Sequence, residues 1–168
     1  MSKALIIIDM WDKRHPGEDR FASSLEQLSL KLKMMMRRNK DYVINIPIVV
    51  ATYNTPNGSN TNQTILSGLD GSENELVSWD KDEVMKFLNS RGVTDLYFAG
   101  ISFPGCIRSR PLGIDNMKDD FDCHVIIDCV LNTLGTAYTE YDIIHETYHN
   151  VLSSGLSYIY STELLTND

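Results

Sequence analysis

The stretch that decides the fold is Ala4-Leu5-Ile6-Ile7-Ile8-Asp9, a continuous apolar run that stops on a carboxylate. It is too short for a helix and shows no alternation, which is the pattern of a strand buried on both faces of a sheet. Working outward, Leu25, Leu28, Leu32 and Met35 recur at helical spacing behind the capping candidates Ser23 and Ser24. A Val/Ile-rich strand follows within Tyr42–Thr52, its regular part starting at Ile48 because Pro47 cannot donate to a ladder. Tyr53–Asn74 reads as one long polar loop, anchored only by Ile65, Leu66 and Leu69. Val84, Phe87 and Leu88 mark a helix ending at Gly92, and a strand over Asp95–Ala99 runs into the turn Gly100-Ile101-Ser102-Phe103-Pro104-Gly105-Cys106. A helical stretch to about Lys118, a strand over Cys123–Cys129, a helix over Tyr138–Leu152 and a short strand over Leu156–Tyr160 complete the chain.

Strands alternating with helices predict right-handed βαβ crossovers and a parallel sheet of about five to six strands in a three-layer αβα, Rossmann-like α/β domain over residues 1–168. In such a sheet the ligand crevice lies beyond the carboxyl ends of the strands. Asp9, the Thr52-Tyr53-Asn54 segment and the turn at 100–106 end the first three predicted strands, so topology alone brings them together.

Composition narrows the function. A net charge of −8 and a pI near 4.9 argue against a nucleic-acid footprint. The basic cluster from Lys31 to Lys40 lies along one predicted helix and reads as a solvated face. No segment approaches the ~20 apolar residues of a membrane span. Met1-Ser2-Lys3 passes directly into the first strand, so a cytoplasmic location is expected, where the three cysteines would stay reduced.

Cys106 sits where a Gly-flanked turn enters a helix, a place where amide dipoles favour a thiolate. It reads as a nucleophile or as a small buried thiol, and Asp9 as its partner or as a helix cap. Cys123 and Cys129, six apart on one strand, are expected on one face, in the core. His145-Glu146-Thr147-Tyr148-His149 satisfies the zincin pattern. Yet only 19 residues follow it, and the βα alternation puts this helix in the outer layer, with Ile144, Tyr148 and Val151 as its buried stripe. No metal and no cofactor are expected.

The pairing of Leu5-Ile6-Ile7-Ile8-Asp9-Met10 with Phe98-Ala99-Gly100-Ile101-Ser102-Phe103-Pro104-Gly105-Cys106-Ile107 resembles the isochorismatase-like cysteine hydrolases, which include nicotinamidases. Asp9-Met10-Trp11-Asp12-Lys13 and Arg110-Pro111-Leu112-Gly113-Ile114-Asp115-Asn116-Met117 are similar to a nicotinamidase-related branch of that superfamily. The resemblance implies that Asp9 is a general base toward a nucleophilic Cys106. It also implies a non-proline cis peptide at Ile101-Ser102 and an oxyanion hole made by the amides of Ser102 and Cys106. The substrate would be a small molecule with an amide- or ester-like carbonyl, walled by Trp11, His15 and Phe103, and the protein a homo-oligomer.

Two departures stand against this pattern. The family's lysine, which lies before the helix ending here at Gly92, has no counterpart; Glu73, Glu75 or Ser78 would occupy its place. The metal-binding Asp and His residues of nicotinamidases are missing from Ala51–Gly58. A chain that binds a small ligand or a protein partner without turnover is the alternative.

Overall fold

The computed structural model describes residues 2–12, 21–41, 45–53, 61–133 and 139–164. Its centre is a six-stranded parallel sheet of β1 (Lys3–Ile8), β2 (Ile48–Ala51), β3 (Glu75–Val77), β4 (Asp95–Ile101), β5 (Asp122–Leu131) and β6 (Ser157–Ile159), in the order β3-β2-β1-β4-β5-β6. The strand order reverses between β1 and β4, so the crevice expected of a doubly wound sheet opens above that pair. Ile8 pairs with Ala51 on one side and Gly100 on the other, which sets Asp9 between the ends of β2 and β4.

Alternate residues of β1 feed two cores, as a strand sandwiched between helical layers requires. Ala4, Ile6 and Ile8 face α3 (Lys81–Asn89), α4 (Gly105–Ser109), α5 (Ile114–Met117) and α6 (Glu140–Ser153) through Val84, Leu88, Ile107, Ile114, Met117 and Val151. Leu5 and Ile7 face α1 (Ala22–Asp41), α2 (Gln63–Leu66) and α7 (Ser161–Leu164), whose buried residues include Leu28, Leu32, Met36, Ile65 and Leu164. The three-layer αβα architecture is therefore present. No described helix is long and apolar enough to cross a membrane.

The elements differ from expectation in four places. The loop expected over Tyr53–Asn74 contains α2, capped by the Asn62 side chain on the Thr64 amide, and β3 follows directly after it. The helix expected up to Lys118 is two short helices, since Pro111 and Gly113 interrupt it. The buried stripe of α6 is Ile143, Thr147 and Val151: Val151 is buried as predicted and Tyr148 is partly buried against the core, but Ile144 is 45% exposed, and His145 and His149 lie on the outer face. Finally, Cys123 and Cys129 do not share a face. The β4–β5 register shifts between Phe98 and Gly100, and the extra residues on β5 move Cys129 into the α1 layer while Cys123 packs with the α3–α6 layer.

Candidate active site

Three chain segments meet above the β1–β4 switch. At the end of β1, Asp9 has a positive φ of 52°, a backbone state that Asp tolerates better than most residues. Its amide still bonds Ala51 O at 2.9 Å, so the strand register is kept while the side chain leaves the pleat. The carboxylate is fully buried. Oδ1 accepts the Tyr53 amide at 2.8 Å, and Oδ2 accepts Arg110 Nε at 2.6 Å.

At the end of β4 the chain must pass close to β1. Gly100, at φ 111°, lies against Ile8, and a Cβ built there would sit 2.1 Å from Ile8 O. The Ile101–Ser102 peptide that follows is cis. The Ser102 side chain is fastened to the end of β5: its hydroxyl oxygen accepts the Thr133 amide at 2.7 Å and lies 3.1 Å from the Thr133 hydroxyl. Its backbone amide favours the ionised form of the Cys106 thiol. Phe103 donates its amide to Leu131 O at 3.0 Å, which pins the turn between β4 and β5.

Cys106 is the second residue of the one-turn helix α4, and Arg110 caps that helix, bonding Cys106 O through its amide at 3.1 Å. A separation of four residues puts the two side chains on one helical face, and both interact with Asp9. Tyr53 completes the group: its ring lies 5.1 Å from the guanidinium, and its hydroxyl accepts the Leu112 amide at 3.0 Å.

The electrostatics follow from burial. Desolvation raises the Asp9 carboxyl above its ordinary value, against the Tyr53 amide, Arg110 and Cys106, which all favour the charged form. Burial also raises the Cys106 thiol, and the Asp9 charge adds to this, while the Ser102 amide and Arg110 oppose it. The expected stabilised thiolate is thus corrected: a single helical turn supplies too little dipole to offset burial beside a carboxylate. Desolvation works against the Arg110 charge, but Asp9 outweighs it and the guanidinium is held more firmly protonated than usual. Burial pushes the Tyr53 hydroxyl up to about 12. Burial thus favours the neutral thiol at Cys106, beside a carboxyl whose Oδ2 accepts from Arg110.

The remaining candidate residues lie as follows. Glu73 and Glu75 belong to the wrong end of the sheet. Glu75 pairs with Ile48 at the start of β3 and accepts the Asp70 and Gly71 amides, and the Glu73 carbonyl accepts from Arg91. Ser78 is at the carboxyl end of β3, but its hydroxyl donates to Glu83 Oε2 at 2.5 Å. Phe103 is fully buried in the core beneath α3–α6 and does not wall the crevice, because the bond from its amide to Leu131 turns that residue inward. Trp11 bridges the ends of β1 and β2, its indole N–H donating to Tyr53 O at 3.1 Å. His15 and Asn54–Gly58 lie outside the described residues.

Sequence reasoning passed over Arg110 and Tyr53. The four-residue step from Cys106 was the available signal for Arg110; Tyr53, at a strand end, had only the topology to indicate it. A cavity of about 230 Å³ elsewhere, bordered by Ser24, Gln27, Lys31, Asp128, Thr147 and Tyr148, has its amine and its carboxylate engaged with each other, Lys31 pairing with Asp128. Chemistry therefore favours the Asp9–Cys106 crevice.

The sequence matches no protein-family model and no curated protein. The fold does have solved counterparts. It is similar to an isochorismatase-like hydrolase from Alkaliphilus metalliredigens (16% identity, TM-score 0.65, covering 97% of this chain and 97% of that one). It is also similar to a nicotinamidase from Bacillus subtilis (16%, 0.62, 94% and 99%) and a ribonuclease from Caenorhabditis elegans (17%, 0.63, 98% and 79%). With its six-stranded parallel sheet and two helical layers, the chain has the fold of the isochorismatase-like hydrolases and nicotinamidases.

Proposed function

We propose that this chain is a cysteine-dependent hydrolase of a small molecule carrying an amide- or ester-like carbonyl. The observation that carries this reading is the Cys106 thiol interacting with the buried Asp9 carboxylate at the turn that follows the cis Ile101–Ser102 peptide. As the substrate carbonyl approaches, Asp9 takes the thiol proton and Sγ bonds to the carbonyl carbon. The charge that develops on the carbonyl oxygen is met by the amides of Ser102 and Cys106. The C–N or C–O bond then breaks, and Asp9 returns its proton to the leaving group. Water, deprotonated by Asp9, cleaves the thioester and restores the thiol.

The raised carboxyl of Asp9 suits this task, since a base with a higher pKa takes a proton from a thiol at lower cost. Trp11, at the rim between β1 and β2, is positioned to contact the substrate. The net charge of −8 weighs against a polyanion such as RNA as the substrate.

A panel of small amides and esters, assayed with wild type, Cys106→Ala and Asp9→Asn, tests the reading. Turnover lost in Cys106→Ala, with an acyl adduct on Cys106 seen by mass spectrometry, is the expected result. Turnover that persists in Cys106→Ala would sink it, and tight binding without turnover would favour a non-catalytic role.

A further inference from the structure

We propose that Arg110 is the third member of this reaction centre, a cation supplied from the far end of the nucleophile's own helix that both orients Asp9 and stabilises the ionised sulfur of Cys106. The inference deepens the hydrolase reading and rests on it for its chemistry. Among the described residues, the segment where the resembled family holds its lysine brings no cation to Asp9: Glu73 and Glu75 are at the opposite end of the sheet, and Ser78 is engaged with Glu83. Lys81 is committed elsewhere, donating to Asn116 O at 2.9 Å.

Arg110 reaches the same carboxylate by another route. It follows Cys106 by four residues across one helical turn, and its Nε donates to Asp9 Oδ2 at 2.6 Å. Two contacts hold it there besides the bond to Asp9. The guanidinium lies over Tyr53, whose hydroxyl is fixed by the Leu112 amide, and the Arg110 carbonyl accepts Asn116 Nδ2 at 2.9 Å. Asn116 is in turn the residue bound by Lys81, so α3 and α5 together brace the arginine. A guanidinium stays charged throughout, and while its Nε serves Asp9 its charge also acts on Cys106, four residues back along the same helical turn. As Asp9 takes the thiol proton and loses its charge, the same cation is left beside the new thiolate. The negative charge moves from oxygen to sulfur without leaving its partner.

The test reads the thiol itself, by the rate of Cys106 alkylation with iodoacetamide against pH, followed by peptide mapping. Among the described residues, Asp9 just after β1 and Arg110 at the C-cap of α4 are the charged groups acting on the sulfur. Arg110→Gln should slow alkylation at pH 8 by about three- to tenfold, because an opposite charge at close range favours the ionised thiol and this one is partly solvated. Arg110→Lys should recover most of that rate. Arg110→Gln should also slow alkylation in an Asp9→Asn background, where the arginine has no carboxylate left to neutralise. That pair keeps the test valid if the single variant fails to fold with Asp9 unpaired. An alkylation rate unchanged or increased by Arg110→Gln in the Asp9→Asn background overturns the proposal and leaves Arg110 as a structural counterion. A chain that turns over nothing in the panel but shows the arginine-dependent thiol loses only the hydrolase reading. A working hydrolase with an arginine-independent thiol loses only this one.

Discussion

Asp9 is stabilised by its contacts but is costly to the fold as a charge. Its folded pKa lies above its unfolded value because burial dominates, so between the two the native state holds a proton that the unfolded chain has released. Stability therefore falls as pH rises through that window, and the loss persists above it. Asp9→Asn removes the titration and keeps a residue that accepts a positive φ. The melting temperature of the variant, relative to wild type, should rise from about pH 4 upward and then level off. Activity toward any substrate found should fall by about 10²- to 10⁴-fold, as expected for loss of a general base. A melting-temperature difference that is flat with pH would mean that Asp9 is not buried as a charge. Asp9 and Cys106 were legible in the sequence because a strand end and a glycine-flanked turn are local signals. The direction of the Cys106 shift was not, since it depends on how deeply the assembled layers bury the sulfur.

At the scale of elements, β5 carries a device that no periodicity revealed. Where its register shifts, Asp128 turns toward α1 and α7: it pairs with Lys31 and accepts the Ser161 amide at 2.8 Å and the Ser161 hydroxyl at 2.7 Å. Burial alone would raise this carboxyl, but Lys31 and Ser161 outweigh it and hold it below its ordinary value. Here the sign is opposite to that of Asp9. The stabilisation is present above about pH 4 and is lost as pH falls through the lower folded pKa. Asp128→Asn should lower the urea midpoint at pH 7, and the gap from wild type should close in acid; a gap that widens in acid would contradict the ion pairing. Five strands were readable as apolar runs between turn signals. β3 was not, because it is three residues at the sheet edge with Val77 half exposed, which leaves Glu75-Leu76-Val77 no apolar run to announce it. The bulge was invisible for a different reason: alternation is a property of one strand, whereas a register shift is a property of two.

For the molecule as a whole, the Asp9–Cys106 site is a record of when folding is finished. Asp9 and Arg110 are 101 positions apart, Asp9 and Tyr53 44 apart, and Ser102 is held by Thr133 across 31. None of these contacts can form inside one hairpin or one helix, and loop closure must precede each of them. On a ribosome the turn at Ser102 has no anchor until the end of β5 has emerged, although β1 was made first. The thiol is therefore exposed on the growing chain at least until β5 has emerged, and it acquires its half-buried, raised state only when the sheet is assembled. Pulse alkylation during refolding from urea should show Cys106 protected in the slowest phase, no earlier than Cys129, which is buried against α1. Protection of Cys106 in the dead time would mean that the turn forms on its own. If the slow order holds, a reactive cysteine at this position is a hazard only to an unfinished chain, and the act of completing the sheet is what confines its chemistry to the crevice.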